Sequence, residues 1–224
     1  MSDVLKKRRH VFLGASGSGK TELSLNFAMD FPAKSNEHIC FFDMDQTKGL
    51  FRSRDFFETM SARGIETVDT FNFQDAPIVP AGITSKLSRD DVVCVFDVGG
   101  NSAGAVMIGQ YTGRMSPETT NYYYVINPCR PFADTAEDIE QGMVEILTAS
   151  RIRPEWIQVV SNPNMGRETT ADLILARHKR LEEQLSTLDM RPAALCVRAD
   201  LAEQVSANTE VPVIPLQTYL SRLY

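Results

Sequence analysis

"FLGASGSGKTELS", residues 12–24, decides how the rest of the chain is read. Gly14, Gly19, Lys20 and Thr21 fill the pattern G-x-x-x-x-G-K-[ST], between an apolar run and a stretch of helical periodicity. The setting matters more than the letters. Glycines let the backbone curl, so that N–H groups from Gly14, Ser16, Gly17, Ser18 and Gly19 converge on a phosphate at the positive end of a helix. Lys20 is expected to neutralise the outer phosphate oxygens and the Thr21 hydroxyl to ligate Mg²⁺, with Glu22 completing the nucleotide-contacting run. The motif is strong evidence for nucleotide binding and silent on base and reaction.

Working outward, short apolar runs recur between helical stretches. "HVFLG" (10–14), "HICFFD" (38–43), "VVCVFD" (92–97), "YYYVIN" (122–127), "WIQVVSN" (156–162) and "VPVIPL" (211–216) read as strands. Continuous rather than alternating apolarity indicates strands buried on both faces of a parallel sheet. "DTAEDIEQGMVEILTAS" reads as a helix capped by Asp134 or Thr135, and "ETTADLILARHKRLEEQLSTL" as another capped by Thr169 or Thr170. Strand and helix alternate throughout. The expectation is a three-layer α/β/α fold with a mostly parallel central sheet, residues 1–224 forming a single domain. Residues 52–90 are the least legible, with a short strand expected near "ETVDTFNF".

Ligands of such sheets bind at the carboxyl ends of the strands. Two of the apolar runs end there in acids: "FFDMDQTKG" supplies Asp43 and Asp45, and "VFDVGGN" supplies Asp97, followed by Gly99 and Gly100. A carboxylate emerging from a buried strand suits a magnesium shell, so Asp43 and Asp97 join Thr21 as metal candidates. Asp43 or Asp45 is expected to position the attacking water. Gly99 and Gly100 permit a backbone N–H to approach a third phosphate.

Composition narrows the classes. Of the 224 residues, 43% are hydrophobic and 23% charged, ordinary for a globular protein with a full core. The net charge of −6 supplies no global basic field for nucleic acid. No apolar run is long enough to span a membrane, and "MSDVLKKRRH" has no apolar stretch behind its basic cluster. Lys6, Lys7, Arg8 and Arg9 read as a solvated lead-in to the first strand. Cys40, Cys94, Cys129 and Cys196 form no C-x-x-C pair and read as buried thiols of a cytoplasmic protein. His10, His38 and His178 show no ligand spacing. At the C-terminus, Leu216, Tyr219, Leu220 and Leu223 read as one helical face docked on the sheet, and Tyr122, Tyr123 and Tyr124 as strand core with one edge exposed.

With these parts in order, the chain resembles the MinD/ParA-like branch of the SIMIBI P-loop NTPases. The residues that carry the resemblance are the phosphate loop, "DMDQTKG", "DVGGN", "VINPCRPFADTAEDI", "VVSN" and "VPVIPL". It implies that Asn162 contacts the nucleotide base and that a loop carrying Pro215 lines it. It also implies ATP and Mg²⁺ as cofactors, and a nucleotide switch acting on a protein partner or through self-association. One departure is plain: that branch carries a signature lysine where this chain has Ala15. Arg52 and Arg54 are candidates for the missing charge, and surface residues on the simpler reading. Met165 stands where related GTPases place a guanine-binding Asp, which favours ATP over GTP. The alternatives are a small-molecule kinase of the shikimate or gluconate kinase type and a metallochaperone-type GTPase. A kinase needs lid arginines, for which Arg114 and Arg130 are the isolated candidates.

Overall fold

The computed structural model describes residues 7–30, 38–45, 56–69 and 81–220. In chain order the elements are β1 (Arg9–Leu13), α1 (Lys20–Asp30), β2 (His38–Met44), α2 (Phe57–Ala62), β3 (Glu66–Asp69), α3 (Ala81–Leu87), β4 (Val92–Val98) and α4 (Ser102–Gly109). Then follow β5 (Thr120–Ile126), α5 (Ala136–Ser150), β6 (Ile157–Ser161), α6 (Ala171–Ser186), β7 (Pro192–Arg198), α7 (Ala202–Ser206) and β8 (Val213–Leu216). The strands form one eight-stranded sheet in the order β3-β2-β4-β1-β5-β6-β7-β8. Every pairing is parallel.

The continuous apolar runs are explained by two packed faces. Val11, Leu13, Phe42 and Phe96 meet Ile108 of α4 and Ile139, Met143 and Ile146 of α5. Their neighbours Phe12, Phe41, Val93, Val95 and Val125 face Leu23, Leu25 and Ala28 of α1 and Met60 of α2. The architecture is therefore the expected α/β/α sandwich. Thr135 caps α5, its hydroxyl accepting from Asp138 N while the Asp138 carboxylate accepts from Thr135 N. Thr170 caps α6.

Several expectations change. β7 was not anticipated, because "RPAALCVR" has a proline at its head and little β-branching. The short strand near "ETVDTFNF" is real over Glu66–Asp69. Lys7 and Arg9 are not solvated: the Lys7 ammonium donates to Pro117 O and Thr120 O, and the buried Arg9 guanidinium donates to Leu87 O. Tyr122, Tyr123 and Tyr124 are all buried, with no exposed edge. Leu216 belongs to β8 rather than to a helix, although it and Tyr219 do bury against the α1 side of the sheet. Leu223, Lys6, Arg52 and Arg54 lie outside the described residues. Cys40, Cys94 and Cys196 are buried free thiols, and burial pushes Cys40 and Cys94 up to about 12; Cys129 is half-buried. Among the described residues no helix is long and apolar enough to cross a membrane.

Candidate functional site

The phosphate loop leaves β1 and enters α1 through three residues of left-handed backbone, Gly14 (φ 136°), Gly17 (φ 76°) and Gly19 (φ 93°). Two of them are also pinned by close approach. A methyl at Gly14 would lie 2.2 Å from Val125 O, and one at Gly19 the same distance from Asn162 Nδ2. Neighbouring strand ends thus shape the loop. Asn162, just past β6, donates from Nδ2 to Ser18 O at 2.8 Å, and its own N–H donates to Ile126 O.

Lys20 and Thr21 open α1 and are buried, at 4% and 7% exposure, unusual for a lysine. The Lys20 ammonium donates to Ala15 O at 3.0 Å, folding back over its own loop. Ser18 is buried too, and its Oγ has no hydrogen-bond partner among the described residues.

The acids stand on the same side. Asp43 and Asp97 are register partners on β2 and β4, and Phe12 of β1 continues the row. Equal register on parallel strands gives one facing, and here it is the α1 face, the face of Phe12, Phe41 and Val95. Both carboxylates are buried, and Asp43 Oδ1 accepts from Asp45 N at 3.0 Å. The Thr21 hydroxyl at the start of α1 and the carboxylates near the ends of β2 and β4 are oxygen donors of the kind magnesium takes. No group of three or more His, Cys, Asp or Glu forms a closed metal cage among the described residues. Magnesium held by one or two protein oxygens and the substrate's phosphates needs no such cage.

Beyond β4 the chain turns back over the loop. A methyl at Gly100 would lie 2.7 Å from Ser16 N and 2.9 Å from Lys20 Nζ, and one at Gly99 3.4 Å from Asp45 Oδ1. Asn101 caps α4 by accepting from Gly104 N at 2.9 Å. Gly104 packs against Gly99, where a methyl would come within 2.5 Å of its Cα. The structure therefore assembles the loop, Asp43, Asp45, Asp97, Gly99, Gly100 and Asn162 at one end of the sheet.

Two expected residues are placed elsewhere. The Glu22 carboxylate accepts from the backbone N–H groups of Tyr219 and Leu220, tying the segment after β8 to α1. Asn26 extends the clip, its Oδ1 accepting from Gln217 N. Pro215 lies exposed within edge strand β8 opposite Val197, and no described contact joins it to the loop. Arg114 sits in a turn before the amino end of β5, the wrong end of the sheet for a lid.

Sequence reasoning missed Asn127. At the end of β5 it donates to Asn164 O (2.9 Å) and Gly17 O (3.4 Å), while its Oδ1 accepts from Cys129 N and Asn164 N. One buried amide thus fastens the phosphate loop to two others. The available signal was Asn-Pro directly after a fully buried strand, a turn former at the carboxyl edge.

No protein-family model and no curated protein matches the chain. Solved structures do overlap with it. A ParA family ATPase from Chlorobium tepidum TLS aligns at 14% identity over 89% of this chain and 87% of that one, with a TM-score of 0.48. The signal recognition particle 54 kDa protein from Aeropyrum pernix K1, in complex with GDP, aligns at 13% identity over 98% of this chain and 45% of that one (TM-score 0.39). The signal recognition particle receptor FtsY from Elizabethkingia anophelis aligns at 13% identity over 93% and 57% (TM-score 0.36). Overlaps this loose carry no argument about activity.

Proposed function

We propose that this chain is a SIMIBI-class P-loop NTPase that binds Mg·ATP, hydrolyses it, and uses the nucleotide state to control a protein partner or its own association. The observation that carries the reading is the close approach of Gly100 to the loop, where a methyl would lie 2.7 Å from Ser16 N and 2.9 Å from Lys20 Nζ. A third phosphate bound by the loop would meet the backbone after β4 directly, so its loss would release that segment and α4 behind it.

In this reading the loop amides and Lys20 hold the phosphates, and Thr21, Asp43 and Asp97 hold Mg²⁺, which would supply charge neutralisation to the phosphate oxygens. Asp43 or Asp45 orients water. Asn162 braces the loop under the base, with Pro215 a more distant candidate. Met165, 41% exposed, offers no carboxylate to guanine, which keeps ATP ahead of GTP.

Lys20→Ala should abolish the rise in melting temperature that Mg·ATP produces in the parent. Persistence of that rise would sink the loop assignment. A kinase reading draws on a cavity of about 460 Å³ beside Ala15 and Ser16, walled by Tyr124, Arg130 and Glu145. Turnover of ATP with no added acceptor separates the two: the switch hydrolyses slowly on its own, whereas a kinase waits for its acceptor.

A further inference from the structure

We infer that Arg130 is a built-in arginine finger, delivering to the γ-phosphate the positive charge that the loop lacks at Ala15. The inference rests on the reading of residues 14–21 as a nucleoside triphosphate site.

The argument starts from the backbone. Cys129 N donates to Asn127 Oδ1, Arg130 N to Asn127 O at 3.1 Å, and Ala133 N to Arg130 O at 3.1 Å. Pro131 then fixes the first position of a short 3₁₀ turn over Pro131–Ala133. Asn127 is itself bonded to Gly17 O, so the arginine's backbone is referenced to the phosphate loop by a short, rigid path. The side chain leans on the loop. A methyl at Gly17 would lie 3.7 Å from Arg130 Nε and 3.9 Å from its Cδ and Cγ. Those are ordinary van der Waals distances, so the arginine stem packs against the loop at Gly17.

The guanidinium has no hydrogen bond or ion pair among the described residues, and Arg130 is exposed. Two acids share its cavity, Asp138 and Glu145, yet neither is within ion-pair reach. The Asp138 carboxylate is already engaged by Thr135 N and Thr135 Oγ1 at the head of α5. A rigidly based, unpaired guanidinium beside an anion-binding loop, in a cavity also lined by Ser16 and Gly100, matches an oxyanion that arrives with substrate.

The step it serves is balanced within the proposed reaction. Water oxygen bonds to the γ-phosphorus, and the bond from that phosphorus to the β,γ-bridging oxygen breaks. The electron pair stays on the ADP β-phosphate and the water proton passes to the released phosphate. Negative charge builds on the γ-oxygens and the bridging oxygen, within reach of a fork of N–H donors.

Three variants test this with Mg·ATP and Mg·ADP as probes. Arg130→Gln should keep the parent's melting temperature and its Mg·ADP-induced rise, while turnover without acceptor falls by roughly 10³–10⁵-fold, chiefly in kcat. Arg130→Ala should behave alike, and added guanidinium ion should restore part of its turnover. Turnover of Arg130→Gln at the parent rate, or a fall accompanied by a lowered ligand-free melting temperature and no guanidinium rescue, would overturn the proposal. Lys20→Ala separates the two levels: if it still binds both nucleotides, the site itself is misassigned, whereas loss of binding there with an inert Arg130→Gln refutes only the finger.

Discussion

The two ends of the central strands surround their polar groups differently. At the amino end, Lys7 and Arg9 donate to the carbonyls of Pro117, Thr120 and Leu87. His10 sits between Lys7 O (3.0 Å) and Tyr123 OH (3.3 Å), with Asn121 Nδ2 at 3.4 Å. Several donors and acceptors there answer one another, although Arg9 Nε and Thr120 Oγ1 are buried with no hydrogen-bond partner among the described residues. At the carboxyl end, among the described residues, the buried Ser18 Oγ and the exposed Arg130 guanidinium have no partner, and Lys20 donates to a loop carbonyl. Groups left without protein partners are groups that a ligand can satisfy. The difference lies in what surrounds such groups: at the amino end they belong to strands, whereas at the carboxyl end they line a glycine-rich loop that can receive a ligand.

The largest expected effect comes from forcing a side chain into the receptive end. Gly14→Ala combines a φ of 136° with a methyl 2.2 Å from a backbone oxygen, and should cost on the order of 4 kcal/mol or more. Gly64→Ala is the control, with φ 75° and nothing within 4 Å of the new methyl, and should cost only about 1 kcal/mol. Urea unfolding of both variants measures the gap; equal costs would mean that the Val125 contact does not constrain the loop.

The amino end is probed by acid. Burial holds His10 neutral, its pKa lowered from 6.5 to about 3. The unfolded chain takes up a proton below pH 6.5 that the native state refuses. His10 therefore contributes full stability above pH 6.5, and that contribution is lost progressively as pH falls toward 3, by roughly 4 kcal/mol in total. Unfolding free energies between pH 7 and 3.5 should fall more steeply for the parent than for His10→Asn. Parallel curves would place the proton elsewhere.

The smallest effect belongs to the brace between loops. Asn127→Ala removes a buried amide with four backbone partners and should cost about 2–3 kcal/mol. Because the amide also holds Gly17, nucleotide affinity should weaken beyond what the stability loss explains. A stability loss with unchanged affinity for Mg·ADP would separate the brace from the site.

Much of this was legible in the chain, and particular residues say why. Loop 14–21 is local: its glycines, lysine and threonine act within one turn of backbone, so their order alone encodes the geometry. The placement of the acids closing β2 and β4 was legible because a charge ending an apolar run marks where a buried strand surfaces. The engagement of the Glu22 carboxylate was not legible, since nothing within its own segment reveals that residues 219–220 return to it across the sheet. β7 escaped because its burial is supplied by neighbouring strands and α6, not by its own β-propensity.

The sequence by itself determined the strand-and-helix alternation, the phosphate loop and the chemical kinds of residue at its edge, because these depend on short-range backbone chemistry and hydrophobic patterning. Only the tertiary structure decided which of them meet. Strand order puts β4 and β5 on either side of β1. That adjacency brings Gly100 onto Lys20, Asn127 onto Gly17, and Arg130 across a loop more than a hundred residues away. Such contacts are set by parallel crossover connections, whose end points no local pattern specifies.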